Sequence, residues 1–172
     1  MKHLTILIFS LISAGSLFAQ ADLNISDSNV VLGNVSLNFP LDPISFTGNF
    51  GIPDTIEGIE INGTYRKSTR SLFWPNNGIK CDLTENNRLE GLTLFLIDQK
   101  ELGIKGNFKG SILFKGQEIN LNVTIASLKE IGFKPSVVPE VLFMTINDWE
   151  IMAQFHPNNL QLETLGITSV RK

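Results

Sequence analysis

Two short stretches fix where helices can end in this chain. Residues 46–54 read FTGNFGIPD and residues 128–136 read LKEIGFKPS. In each, an apolar turn is followed by a glycine, which reaches the left-handed conformation that closes a helix. A proline then follows, lacking the N–H needed to resume one. Helices stopped this way are short, so most of the backbone must find its hydrogen bonds in strands and turns. The sequence around the two stops is also alike, and that likeness predicts one structural unit used twice.

Before the first stop, NVVLGNVSLNF (residues 29–39) places β-branched residues around Gly33-Asn34, and Val35, Leu37 and Phe39 alternate with Ser36 and Asn38. Period two of this kind predicts a hairpin with one buried face. Asp42 and Pro43 suit the N-cap and first position of a short helix carrying Ile44, Phe46 and Phe50, ended by Gly51 and Pro53. Asn62-Gly63 is a strong two-residue hairpin signal, flanked by Ile59, Ile61 and Tyr65. SLFW, IKCDL and LEGLTLFLI, separated by the turns PNNG and TENNR, continue as a meander with Ile79, Cys81 and Leu83 on one face.

The second half follows the same scheme: a hairpin about Lys115-Gly116, and a helix striped by Ile125, Leu128 and Ile131 that Gly132 and Pro135 end. A meander turned at Asn147-Asp148 and at HPNN then closes the chain. The expectation is an α+β fold of mostly antiparallel β meanders with two short helices, a tandem repeat of a hairpin, helix and meander unit. Residues 29–97 form the first repeat, 98–106 a connection and 107–170 the second. The hairpin around Asn62 is read as an insertion carried by the first repeat alone.

Lys2-His3, the apolar run LTILIFSLISAGSLF and the small-x-small triplet Ala19-Gln20-Ala21 have the order of a secretory leader. Residues 1–21 are read as a signal peptide and 22–28 as a linker, giving a soluble protein exported to the periplasm or beyond and beginning at Asp22. No later stretch approaches the ~20 apolar residues that span a bilayer, so no integral membrane segment is expected after cleavage. Loss of Lys2 leaves 13 basic against 17 acidic residues. A mildly acidic chain with scattered lysines lacks the clustered basic face that nucleic acid requires. The Asn, Ile and Lys bias points to a bacterial source, in which the Asn-x-Ser/Thr triplets at Asn24, Asn34, Asn62 and Asn122 carry no glycan.

The inventory of reactive groups is short. His156 is the one histidine left after processing and Cys81 is the one cysteine, so no internal disulfide can form. A nucleophile-and-base machine would have to use them. His156 also suits a solvated turn, and Cys81 a buried small apolar residue. Zinc needs three or four Cys, His or carboxylate ligands, and the processed chain has one Cys and one His; no calcium loop or glycine-rich phosphate loop is written. No metal and no cofactor is expected.

The combination FGIPDT, LFWPNNGI, LEGLTLFLI and FKGSILFKGQEI resembles an uncharacterised bacterial exported αβ domain family. It is similar as well to the tandem modules of the β-lactamase-inhibitor-like and outer-membrane-assembly-lipoprotein type, in which helices pack on an antiparallel sheet. The first family's pattern has an aspartate after the tryptophan, where this chain has Pro75. The resemblance implies protein binding or an envelope role and no catalytic residue. Tyr65, Arg66, Lys67 and Arg70 on the Asn62 hairpin are the candidate partner-binding residues, since tyrosine and arginine are enriched among interface anchors. The expected function is that of a non-catalytic protein-binding module with an inhibitor, immunity-type or envelope-assembly role. The alternative is a small periplasmic hydrolase or transferase using His156 or Cys81.

Overall fold

The computed structural model describes residues 21–62, 65–99, 104 and 108–170, and of residues 59–62 and 65–68 the backbone only. The fold is α+β and mainly β. The smaller sheet has five strands: β1 (Leu23–Ile25), β2 (Val30–Leu32), β3 (Val35–Ser36), β8 (Ile112–Phe114) and β9 (Gln117–Ile119), in the order β3-β2-β1-β8-β9. Gly33, at φ 57°, makes the expected turn of the first hairpin, and Lys115 and Gly116, at φ 49° and 79°, that of the second.

One element differs from the sequence reading. The stretch 22–28, read as a linker, supplies β1, the central strand of this sheet, antiparallel to β2 and parallel to β8. Leu23 and Ile25 are fully buried on either side of exposed Asn24. Burying each is worth about 1.5–3 kcal/mol, enough to hold three residues that Asp and Asn neighbours disguise as loop.

Each small-sheet hairpin feeds a helix. Helix α1 (Ile44–Phe50) opens where expected, with the Asp42 carboxylate accepting the Ile44 N–H at 3.0 Å and Pro43 already helical. Helix α2 (Ile125–Glu130) has a reciprocal cap between Thr124 and Ser127. Gly51 and Gly132 follow the two helices at φ 80° and 109°.

The larger sheet is antiparallel throughout. Its strands are β4 (Asp54–Asn62), β5 (Tyr65–Trp74), β6 (Ile79–Leu83), β7 (Leu89–Phe95), β10 (Lys134–Pro135), β11 (Val141–Ile146), β12 (Trp149–Phe155) and β13 (Leu162–Ser169). They run β10-β11-β12-β13-β7-β6-β5-β4. A strand therefore follows α2 just as β4 follows α1. β4 and β5 pair over nine residues from Asp54 to Asn62, whereas β10 and β11 pair over two.

Register explains the core. One row across six strands reads Trp74, Ile79, Leu94, Leu165, Ala153 and Leu142, every one buried. The next inward row carries Cys81, Leu92, Ile167, Ile151 and Met144, also buried. These rows join Phe46 and Phe50 of α1, Leu128 of α2 and the apolar face of the small sheet in one cluster. The two tryptophans clamp it. Trp74 packs 5.6 Å from Phe46, centroid to centroid, and donates to the Gly51 carbonyl, while Trp149 donates to that of Leu37.

Candidate functional site: a hairpin that outruns its sheet

β5 pairs with β6 only from Arg70 to Trp74, whereas its pairing with β4 continues from Arg70 opposite Glu57 to Tyr65 opposite Asn62. Beyond Arg70, among the described residues, the β4–β5 hairpin has no third strand beside it in the sheet. Five residues of strand at ~3.3 Å each give an arm of roughly 17 Å. The Asn62-Gly63 turn at its tip falls partly outside the described residues.

The four candidate positions, 65, 66, 67 and 70, all lie on β5. Strand alternation assigns positions 65 and 67 to the sheet face of Ser71, and positions 66 and 70 to the opposite face. Register also sets acid against base, with Glu57 opposite Arg70 and Glu60 opposite Lys67. Opposite charges at such positions favour the pairing and set its register. Arg70 has a further tie, donating from Nη1 to Asn87 Oδ1 at 2.7 Å in the β6–β7 turn. It braces the base of the arm. On the Ser71 face, Ser71 and Lys80 both reach the Asp82 carboxylate, each at 2.8 Å.

Cys81 and His156 are kept apart. Cys81 lies in the inward row that passes through Ile151 on β12, three strands away. His156 is five residues further along the chain, so strand spacing puts the two roughly 20 Å apart. Cys81 is fully buried. Burial, with a smaller push from the Asp82 carboxylate, raises its thiol well above the ordinary range, and Lys80 opposes them. A thiol held neutral in this way is a poor nucleophile. His156 closes the HPNN turn: its Nδ1 accepts the Asn158 N–H at 3.2 Å, and its carbonyl accepts that of Leu160.

A cleft of ≈ 500 Å³ lies beside the small sheet, lined by Asp22, Asn24, Val31, Asn34, Asn49 and Leu113 among others. Its carboxylate is already engaged, for Asp22 Oδ1 accepts the Ser111 N–H at 2.8 Å. Sequence reasoning missed this cleft because it depends on β1. Among the described residues no group of three His, Cys, Asp or Glu side chains could hold a metal ion, and no helix is long and apolar enough to cross a membrane.

No curated protein and no solved structure matches the chain. A family profile does, over residues 22–141, a span that takes in the small sheet, both helices and the whole β4–β5 arm. The chain accordingly belongs to the family described as Domain of unknown function (DUF7738).

Proposed function

We propose that this is an exported bacterial protein without catalytic chemistry that binds another protein through the β4–β5 arm, in an inhibitory, immunity-type or envelope-assembly role. The observation that carries the reading is the arm itself, which continues past β6 for five residues on each strand. Strands that leave their sheet forfeit burial, and such a device suits a contact surface better than a core. Export is supported by the leader-like residues before Asp22, the position where the family match begins.

The proposal extends to architecture: both halves derive from one hairpin, helix and four-strand unit. A half-turn about an axis through the middle of the β7–β13 pair exchanges Leu92 with Leu165, Cys81 with Ala153 and Leu72 with Leu142, all in the inward rows. The arm is where the halves differ most.

Replacing residues 60–68 by a two-residue turn tests the function. The shortened protein should keep the thermal transition of the full chain and fail to retain the proteins that co-purify with it from the envelope fraction. Once a partner is in hand, Tyr65→Ala should weaken binding by about 1–2 kcal/mol. An unchanged set of partners, or loss of folding on shortening, would overturn the reading. Protein from the envelope should begin at Asp22; recovery with Met1 intact would refute processing.

A further inference from the structure

The sheets end on edges of very different length. β3 and β10 are two residues long and β9 is three. Edges as short as these expose few unpaired backbone groups, and β10 adds Lys134 and Pro135, the two residue types that most discourage another strand from pairing. β4 is nine residues long, contains no Lys, Arg or Pro, and among the described residues has a neighbouring strand on one side only. Asp54, Thr55, Ile56 and Glu57 are exposed, so no described residue covers either sheet face beside them. One sheet thus carries a blunted edge and, seven strands away, an open one.

We propose that β4 is a docking edge to which an extended segment of a partner protein bearing lysine or arginine adds as a further strand. The inference rests on the reading that the chain works by binding a protein, and it names the chemistry of that partner. Charge selects the occupant. β4 carries Asp54, Glu57 and Glu60 with no base among them, and β5 sets Arg70 and Lys67 against Glu57 and Glu60 on one side only. An incoming strand supplies the bases on the other side. A second copy of β4 would instead stack six carboxylates in one two-stranded ladder, with like charges opposed. Backbone hydrogen bonds of an added strand give affinity with little dependence on sequence, while alternate side chains give selectivity. Ile56 offers the apolar contact on the outer face.

The probe is a fluorescein-labelled nine-residue peptide, TKVKTKVKT, capped at both ends and titrated into the full mature chain. Three comparisons accompany it: the peptide with every lysine replaced by glutamate, the basic peptide N-methylated at alternate residues, and the Glu57→Lys protein. The basic peptide should bind and slow amide exchange at residues 54–58 at least tenfold, and each comparison should weaken binding at least tenfold. Equal binding of the N-methylated peptide would show charge attraction without strand addition and overturn the proposal, as would protection elsewhere or no binding at millimolar peptide. Self-association of the peptide-free chain with protected 54–58 amides would assign the edge to a second copy and overturn it too. The variant shortened at 60–68 keeps residues 54–58. Peptide binding with no arm-dependent partner would sink the arm reading alone, and the reverse result would sink the edge alone.

Discussion

The indole N–H of Trp149 donates to the main-chain carbonyl of Leu37 at 2.7 Å, joining residues 112 apart in sequence. Both are buried, so the bond ties the start of β12 to the chain leaving β3 where water cannot replace it. Trp149→Phe should keep most of the packing yet strand that carbonyl, at a cost of about 1–3 kcal/mol in urea unfolding. Trp74→Phe loses a bond of 2.8 Å to the Gly51 carbonyl that is only part-buried and should cost less. Equal costs would mean that ring packing, not the hydrogen bonds, decides.

Cys81 gives a pH signature. Its thiol is held above its unfolded value by burial first and by Asp82 second. A raised thiol contributes stability that is complete below the unfolded pKa of ~8.5 and is lost as pH climbs towards the folded value. Above pH ~8.5 this residue alone should remove up to about 1.4 kcal/mol per pH unit. Urea midpoints from pH 7 to 10 should fall more steeply for the native chain than for Cys81→Ala, and a thiol reagent should label Cys81 only on unfolding. Parallel midpoints would contradict this.

The glycines near α1 separate backbone strain from propensity. Gly48 is exposed within the helix, and a methyl group there meets nothing within 4 Å, so Gly48→Ala should stabilise by about 0.5–1 kcal/mol. Gly51 sits at φ 80°, ψ −167°, a region that side chains avoid, and Gly51→Ala should cost about 1–3 kcal/mol. Thermal unfolding of the two variants should move in opposite directions.

Truncation tests β1. A chain beginning at Ser26 lacks Leu23 and Ile25, both fully buried, and loses β2's and β8's shared neighbour. It should show exposed apolar surface by dye binding and a weakened thermal transition. A native-like transition would demote β1 to an accessory strand.

Much of the fold was legible in the sequence because it rests on local chemistry. Gly33-Asn34, Lys115-Gly116, Gly51 and Gly132 each state a backbone conformation that only a turn or helix end requires, and Ile79 and Cys81 declare their buried face by alternation. Parallel pairing of β1 with β8 was not legible, since three residues are too few to show a period and their partner lies far along the chain. Asn62-Gly63 signals a hairpin, whereas its length beyond β6 shows only in the register. The open edge of β4 was invisible, because an edge is defined by what is absent beside it.

β1 also sets the order in which the molecule can assemble. Its residues head the folded domain, yet Leu23 takes its parallel partner from Ile112, so the small sheet cannot close until the chain has been made to Phe114. Closing so long a loop early is entropically unfavourable, and pairings of such separation form late. A growing chain therefore carries Leu23 and Ile25 without their parallel partners until residues 112–114 have been made.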